Sequence, residues 1–309
     1  NRALQRGNLL RKCMDEQFSE GNFLGLPDIA GPADVIIASI PYELTTSYGQ
    51  GTGQGPAACI EASGQVELYD DLLGEELPAG RIIRTVEPWD GEGASLQEQL
   101  AGIAKYAEQQ YASGAFPVFL GGEHGILPAV LRGYPEKVTL IQIDAHADLR
   151  DELDGESYSH ACAIARSLDE GALSVYQVGI RAYCHQEAEL IESDNRIHTW
   201  FARDVMSPCS GEKAWSEWLE SIANIDGPVH LTIDIDGLDG SLVPATGTPV
   251  PGGLTFWHVV QTIETAFANC QIISADVNEI VPQNGTPLTQ FTAAMIATKV
   301  IAAHIANKR

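Results

Sequence analysis

The segment Val138-Thr-Leu-Ile-Gln-Ile-Asp-Ala-His-Ala-Asp148 decides how this chain folds. Its first six residues form a largely apolar run, which is typical of a strand buried on both faces of a parallel sheet. The run leads directly into Asp144, His146 and Asp148, which are spaced by two. Side chains two positions apart on a strand point to the same face. The segment therefore predicts a buried strand that delivers three polar groups to one edge of a sheet.

Two other segments have the same design. Val229–Ile233 is an apolar run that ends in Asp234-Ile235-Asp236, and its two acids alternate with isoleucine, so they must share one face. Phe116–Leu120 leads into Gly121-Gly-Glu-His-Gly125, where the glycines let the backbone approach a ligand closely. Each motif alone has a plain structural explanation, such as a turn or a solvated loop. Together they indicate one site, because ligands of open α/β sheets bind beyond the carboxyl ends of the strands.

Strand-like and helix-like patterns alternate along the chain. The predicted strands are Val35–Ile40, Arg81–Val86, Pro117–Leu120, Val138–Ile143, Ser174–Gly179, Arg196–Trp200, Val229–Ile235 and Gln271–Val277. The predicted helices are Ser95–Ser113, Ile126–Gly133, His160–Asp169, Gln186–Ser193, Glu212–Ala223, Phe256–Asn269 and Leu288–Asn307. This alternation predicts an α/β fold, with one three-layer αβα domain over residues 1–309 and a mostly parallel sheet of about eight strands. Tyr48–Gly55 and Val243–Gly253 are rich in turn residues and are predicted to be loops.

The three motifs supply a set of oxygen and nitrogen ligands without cysteine. Four clustered carboxylates need compensating positive charge, and two divalent cations would supply it. The candidate ligands are His124, Asp144, His146, Asp148, Asp234 and Asp236. Such a hard, oxygen-rich set suits Mn²⁺ better than a thiolate zinc site, although Zn²⁺, Fe²⁺, Co²⁺ and Ni²⁺ remain open. Two ions about 3.5–4 Å apart can share a water molecule and present it as hydroxide.

The charge balance narrows the choice of partner. The chain has 42 acidic and 18 basic residues, for a formal net charge of −24. Nucleic acids and anionic membranes both require basic patches, so we expect neither as a partner. A cationic substrate is compatible, although acidic surfaces more often serve solubility. The six cysteines show no C-x-x-C spacing and are predicted to be reduced. With no signal-peptide pattern and no apolar run of about 18 residues, we expect a cytoplasmic protein.

Two further residues are candidates with alternative interpretations. His160 precedes a predicted helix, so it could carry a proton or could bond to the backbone at the helix entry. Glu279 follows the last predicted strand, so it could bind a cation or could be an ordinary exposed acid.

At this point the motifs resemble those of the ureohydrolases, the arginase and agmatinase family, over nearly the whole chain. The matching segments are Gly121–Gly125, Ile143–Asp148, Leu231–Asp236, Pro244–Pro249 with Gly252–Leu254, and Asp276–Glu279. The resemblance implies an arginase-like fold and two Mn²⁺ ions per subunit. It implies that His124 and Asp148 complete one ion site and that His146 and Asp236 complete the other. Asp144 and Asp234 would bridge the two ions.

The resemblance also implies the roles of the remaining residues. Glu279 would hold the substrate's guanidinium, His160 would assist proton transfer, and Asp148 or His160 would protonate the departing amine. Homo-oligomers, often trimers or hexamers, are implied in the same way.

Within the family the chain looks most like agmatinase. Ile40–Tyr48 and Asp148–Ala161 resemble agmatinase segments, and Leu149-Arg150-Asp151 stands where arginases read the α-amino and α-carboxylate groups of arginine. The expected reaction is hydrolysis of agmatine to putrescine and urea by a metal-bridging hydroxide. Guanidinobutyrate, guanidinopropionate and arginine are the alternative substrates. Glu123 in place of the commoner aspartate, and Val250 where agmatinases often carry an acid, are departures that bear on specificity.

A non-catalytic relative and a dimetal phosphohydrolase are the other classes considered. A relative without activity should have lost ligands, yet all six positions are filled. A phosphohydrolase is disfavoured because the sequence has no evident Arg or Lys clamp for phosphate.

Overall fold

The computed structural model describes residues 21–91, 95–283 and 285–308. Ten strands are present in these ranges. They are β1 (Val35–Ile40), β2 (Tyr69–Asp70), β3 (Glu75–Glu76), β4 (Ile83–Thr85), β5 (Phe116–Gly121), β6 (Thr139–Ile143), β7 (Val175–Ile180), β8 (Ile197–Phe201), β9 (Pro228–Asp234) and β10 (Gln271–Asn278). Eight of them form one sheet in the order β4-β1-β5-β10-β9-β6-β7-β8, and every pairing is parallel. Only β2 and β3 stand apart, as an antiparallel hairpin.

Helices connect the strands and cover both faces of the sheet. They are α1 (Gly55–Ser63), α2 (Leu96–Ala112), α3 (Leu127–Arg132), α4 (Ala163–Asp169), α5 (His185–Ser193), α6 (Ala202–Val205), α7 (Gly211–Ala223), α8 (Phe256–Asn269) and α9 (Leu288–Asn307). The strands supply successive side chains to opposite cores, as Ile37 and Ala38 of β1 show. One core packs against α1, α7, α8 and α9, and two smaller cores pack against α2, α3 and α4. The α/β fold with an eight-stranded parallel sheet is confirmed.

Every predicted strand and helix is present, with ends displaced by a few residues. The helix expected from His160 begins as one 3-10 turn, and its α-helical part starts at Ala163. Helix α1 was not predicted. It begins at Gly55, where the expected loop ends, and Pro56 lies in its first turn. Proline is favourable there, since its missing N–H has no partner in the first helical turn anyway.

Helix α9 is an exception to the expectation that the chain has no apolar run of about 18 residues. By length and composition alone it could cross a membrane, but 67% of its most apolar 18-residue stretch is buried inside the protein. Ala293, Ile296, Val300 and Ile301 lie fully inside the main core, so the helix packs as a core helix of this sheet. A mostly buried core helix passes the same length and composition test as a membrane span.

The five described cysteines are free thiols, and Cys13 lies outside the described residues. Three of the five, Cys59, Cys162 and Cys270, are buried.

The order of the strands positions the site. The four central strands are β5, β10, β9 and β6, and the carboxyl end of each leads into one candidate segment. His124 follows β5, Glu279 follows β10, Asp236 follows β9 and Asp144 follows β6. Because parallel strands end at the same edge, four segments that are distant in sequence meet at one place.

Candidate metal centre

His124 lies among three of the predicted carboxylates. Its Nδ1 atom is 3.1 Å from Oδ2 of Asp144 and 3.0 Å from Oδ2 of Asp148. Oδ2 of Asp234 is 3.8 Å from the same nitrogen. All four side chains are almost completely shielded from solvent. The arrangement is a closed cluster of one imidazole and three acids.

His146 forms a second cluster beside the first. Its Nδ1 atom is 3.0 Å from Oδ2 of Asp236 and 3.7 Å from Oδ1 of Asp144. Asp144 therefore presents one oxygen to each imidazole, which is the position of a bridging ligand. The donor atoms of His124, Asp144 and Asp234 could share one ion, and those of Asp144, His146 and Asp236 could share another.

Backbone hydrogen bonds hold these carboxylates in place. The N–H of Ala145 donates to Oδ1 of Asp236 at 3.0 Å, and the N–H of Asp236 donates to Oδ1 of Asp234 at 2.9 Å. Asp148 has a left-handed backbone with φ 53°, a conformation that non-glycine residues seldom adopt. Such conformations concentrate at functional sites, where the surrounding structure imposes them.

The clustered charges shift several pKa values. Burial, and then the neighbouring charge of Asp144, raise the pKa of Asp148 to about 7. Burial followed by Asp236 and Asp144 raises the pKa of Asp234 well above its usual value. Burial would lower the pKa of His146, but Asp236 and Asp144 raise it to about 11. Without cations the cluster holds protons, either on the carboxylates or on the two imidazole rings.

The Nδ1 atom of His124 tests whether the cluster fits a metal. It is buried and has no hydrogen-bond partner among the described residues, although two carboxylate groups lie close to it. On the other side of the ring, Nε2 lies 2.8 Å from Oγ1 of Thr232, which donates its hydroxyl hydrogen to Asp276. Since Thr232 has no second hydrogen, Nε2–H must donate to it. In the neutral form that metal binding requires, the ring then offers only the lone pair of Nδ1 on the side of the acids, and a divalent cation fits that donor set.

Glu279 is buried, so its interpretation as an ordinary exposed acid is wrong. Its backbone has φ 63°, and its Oε1 accepts the backbone N–H of His124 at 2.8 Å. Burial, and next the charges of Glu123 and Asp236, raise the pKa of Glu279 well above its usual value. Its other oxygen, Oε2, lies 3.1 Å from where a Cβ on Gly247 would be. The predicted loop Val243–Gly253 therefore reaches the site through a glycine.

His160 lies at the wall of the cavity that opens onto His146 and Asp148. Its Nδ1 atom is 3.4 Å from Oγ1 of Thr45, and its Nε2 atom is 3.3 Å from Oγ of Ser47. Burial lowers the pKa of His160 below its usual value. The ring is thus neutral near pH 7 and lies beside the cluster.

The comparisons with known proteins identify the family. The model of the arginase family matches residues 33–303. The chain belongs to the arginase family. It is 37% identical to the N(1)-aminopropylagmatine ureohydrolase of Synechocystis sp. (strain ATCC 27184 / PCC 6803 / Kazusa), over 92% of this chain and 95% of that protein. It is 32% identical to the agmatinase of Bacillus anthracis, over 87% of this chain and 90% of that protein.

Solved structures agree with this assignment. The crystal structure of the agmatine ureohydrolase of Thermoplasma volcanium matches with a TM-score of 0.79 and 25% identity, covering 96% of this chain and 98% of that chain. The prediction that the chain is a ureohydrolase, a hydrolase that acts on linear amidines, is thereby confirmed.

The structure of this arginase-family protein adds residues that sequence reasoning missed. Gln142 donates through Nε2 to Oδ2 of Asp144 at 2.8 Å, and its own Oε1 accepts from Gln177. Both glutamines are fully buried, Gln142 on β6 and Gln177 on the adjacent strand β7. Gln142 precedes Asp144 by two positions and so shares its face, and this was a usable signal in the sequence.

Arg181 is the second missed residue. Its guanidinium donates to the carbonyl oxygens of Asp236 at 2.7 Å and Val250 at 2.6 Å. Its Nη1 atom donates to the carbonyl of Gly179 at 2.9 Å. Arg181 thereby ties the loop that contains Val250 to the strand ends that carry the acids. Arg181 thus contacts Val250 through its backbone carbonyl, so this contact does not depend on the type of side chain at position 250.

Glu123, which stands in place of the usual aspartate, anchors the segment Ile40–Tyr48. Its Oε1 atom accepts the backbone N–H of Thr45 at 2.6 Å and that of Thr46 at 3.1 Å. The hydroxyl of Thr45 in turn accepts the backbone N–H of His160 at 3.0 Å. The longer acid therefore reaches across to the segment that contacts His160.

We expect Mn²⁺ binding to tighten as pH rises. A pKa raised in the metal-free state means that protons are held there and released on binding, so binding strengthens with pH. With a pKa of about 7, Asp148 alone predicts affinity about tenfold higher at pH 8 than at pH 6. Titration calorimetry at both pH values, in two buffers of different ionisation enthalpy, measures the affinity and the protons released. An affinity that is the same at both pH values, with no proton release, contradicts the prediction.

Proposed function

We propose that this protein hydrolyses the guanidinium group of agmatine, or of an agmatine derivative, and releases urea. The observation that carries the proposal is the joining of two His–Asp clusters through Asp144, beside a buried Glu279, in an arginase-family chain. Similarity to proteins named agmatinase and N(1)-aminopropylagmatine ureohydrolase supports a substrate of this class.

Six side chains would hold two divalent ions, for which we propose Mn²⁺. They are His124, Asp144, His146, Asp148, Asp234 and Asp236. When bound, the ions would lower the pKa of a shared water so that hydroxide is available near neutral pH.

Glu279 would bind the substrate's guanidinium. A guanidinium is planar and always charged, so a carboxylate can accept two of its N–H groups side by side. His124 N–H already bonds Oε1 of Glu279, which sets the direction of the carboxylate next to the cluster. The raised pKa of Glu279 falls back when a cation binds, since an opposite charge favours the ionised form. The substrate cation and the ionised Glu279 would therefore stabilise each other.

His160 and Asp148 would move protons during the reaction. When water adds to the central guanidinium carbon, the C–N bond to the amine must break, and the departing amine needs one proton. Asp148 can take the proton released by the attacking water, because its oxygens already face the cluster. His160, which is neutral and lines the same cavity, can accept a proton and hand it to the amine. The products are urea and a primary amine.

We infer a substrate without an α-carboxylate, because Leu149-Arg150-Asp151 stands where arginases read that group, and Arg150 of this segment lines the cavity beside the cluster. The cavity has a volume of about 470 Å³, and its walls include Arg150, Leu153 and Tyr183. The Nε atom of Arg150 lies 3.8 Å from the buried carboxylate of Glu187, which partly offsets its charge. Agmatine is our first candidate substrate. N(1)-aminopropylagmatine is the second, favoured by the relative that is 37% identical.

The test is urea release with Mn²⁺ across a panel of guanidino compounds. Agmatine, N(1)-aminopropylagmatine, arginine and guanidinobutyrate are compared by kcat/KM. We expect one of the two amines to exceed arginine and guanidinobutyrate by at least about a hundredfold, since rejecting an unpaired carboxylate in a cavity costs about 3 kcal/mol. Fast urea release from guanidinobutyrate, with none from either amine, would overturn the proposed substrate class. The order of the two amines decides between agmatine and its aminopropyl derivative.

A further inference from the structure

Two central strands carry a double ladder of buried polar side chains on one face. On β9 the ladder is His230, Thr232 and Asp234, and on β10 it is Ser274, Asp276 and Asn278. The strand register pairs them as His230 with Ser274, Thr232 with Asp276, and Asp234 with Asn278. All six are almost completely inaccessible to solvent. The top rung contains the proposed ligand Asp234, and Thr232 of the middle rung contacts the proposed ligand His124. Contact with the ligands therefore does not account for His230, Asp276 and Ser274.

The ladder is joined by short hydrogen bonds around Asp276. His230 Nε2 lies 2.7 Å from Oδ2 of Asp276, and Thr232 donates to Oδ1 at 2.7 Å. Asn278 donates to the same Oδ1 at 2.7 Å. Below them, His230 Nδ1 lies 2.7 Å from Oγ of Ser274, which is 2.9 Å from the hydroxyl of Tyr111. A continuous path thus runs from His124 through the sheet to Tyr111, which lines a cavity at the opposite strand ends.

The direction of these bonds follows from the number of hydrogens available. An ionised carboxylate only accepts, so His230, Thr232 and Asn278 must all donate to Asp276. Burial would raise the pKa of Asp276, but the facing His230 lowers it below its usual value and keeps the acid ionised. If Asp276 carried a proton, it could donate to Thr232, whose hydroxyl would then be free to donate to His124. His124 would in that case carry its proton on Nδ1, the atom that faces the acids.

We propose that His230 and Asp276 are positioning residues for the metal centre, acting through Thr232 to keep the Nδ1 atom of His124 free for an ion. The proposal rests on the metal centre and is independent of the substrate. Neither residue touches the six proposed ligands directly. Residues that orient a ligating histidine through its other nitrogen typically change metal affinity about 10–100-fold when removed.

A purely structural role is the alternative. Buried polar groups are costly, and apolar side chains of similar volume fill such space with equal or greater stability. A structural role predicts that replacing His230 lowers stability equally with and without metal. A positioning role predicts an additional loss that appears only when the ion is present.

The test compares His230→Leu with His230→Gln, using Mn²⁺ alone and no substrate. Both variants remove the imidazole, but only glutamine offers an N–H to Asp276. We measure the Mn²⁺ dissociation constant by titration calorimetry and the rise in Tm that saturating Mn²⁺ produces, because that rise reports binding to the native state. The matched control is Thr262→Val, which removes a buried hydroxyl bonded to Trp218 away from the centre.

We expect His230→Leu to weaken Mn²⁺ binding about 10–100-fold and to shrink the Tm rise, whereas His230→Gln stays within about threefold of wild type. Thr262→Val should lower Tm in both states and leave the Tm rise unchanged. Equal, wild-type affinity in both His230 variants would overturn the proposal, and so would equal weakening in both. If His230→Leu does not fold, Asp276→Asn, which keeps the shape and removes the charge, decides by the same criterion of affinity.

Failure of the broader function has a different signature. Wild-type protein that binds no Mn²⁺ would overturn the metal centre and this proposal together. Wild-type binding with unaffected variants overturns only the roles of His230 and Asp276.

Discussion

We expect Asp144→Asn to abolish urea release and to weaken Mn²⁺ binding by roughly 10²–10⁴-fold, because removing one partner of a buried charge pair costs ~3–5 kcal/mol. Asp144 is the carboxylate whose two oxygens face the two imidazoles, at 3.1 Å and 3.7 Å. Asparagine keeps only one of these oxygens, so it cannot bridge the two ion sites, and both sites lose the negative charge. Metal content after gel filtration, and kcat/KM for agmatine with added Mn²⁺, are the measurements.

The metal-free variant should fold but have a lower Tm than wild type. Burial would raise the pKa of Asp144, but His124 and His146 lower it below its usual value, so the native state stabilises a charge that asparagine lacks. Asp239→Asn is the matched control, since Asp239 follows the neighbouring strand β9 at the same edge of the sheet but accepts the N–H groups of Ser241 and Gly252 instead. The control should retain both ions. An Asp144 variant that keeps two ions per subunit and near-normal turnover would refute the bridging role.

The second large effect is expected for Glu279→Gln. This variant should bind Mn²⁺ normally and lose about 10²–10³-fold in kcat/KM, because a buried, hydrogen-bonded charge pair is worth ~3–4 kcal/mol when one partner is removed. The amide keeps an oxygen for the backbone N–H of His124, so the local structure should persist. Only the negative charge that would face the proposed substrate's guanidinium disappears.

Glu123→Gln provides the comparison for that result. It makes the same chemical change in another buried acid, one that holds the backbone of Thr45 and Thr46. We expect a loss of less than about tenfold there, because an amide oxygen still accepts neutral N–H groups. Equal losses in the two variants would remove Glu279 from the role of guanidinium ligand. A crystal structure is not needed, since metal affinity and steady-state kinetics separate the cases.

The layers of this fold and the cluster at its centre were accessible from sequence for one reason. Apolar runs such as Val229–Ile233 end abruptly in acids, and a parallel sheet gathers all such ends at one edge. Periodicity and strand polarity are enough to place His124, Asp144 and Asp236 together, without any knowledge of loop structure.

The remaining parts depend on three-dimensional contacts that no local pattern contains. Among the described residues, the hydrogen bonds of Arg181 go to backbone carbonyl oxygens, which every residue has, so these partners leave no trace in the sequence. Helix α1 was missed because its glycine and proline residues are more typical of a turn. The burial of Glu279 depends on the backbone of Gly122, which bonds the N–H of Glu279, and on the loop at Gly247.

The double ladder on β9 and β10 also bears on how the chain finds its fold. Side chains alternate between faces, so a one-residue slip between strands would move an entire polar set into hydrocarbon surroundings. His230, Thr232 and Asp276 find these partners in the native alignment, where Thr232 lies directly opposite Asp276 and His230 lies diagonally across from it. Misaligned sheets would therefore bury unsatisfied polar atoms, at about 1–3 kcal/mol for each group. The residues beneath the metal centre thus make mispaired assemblies unfavourable during folding, before any ion or substrate is bound.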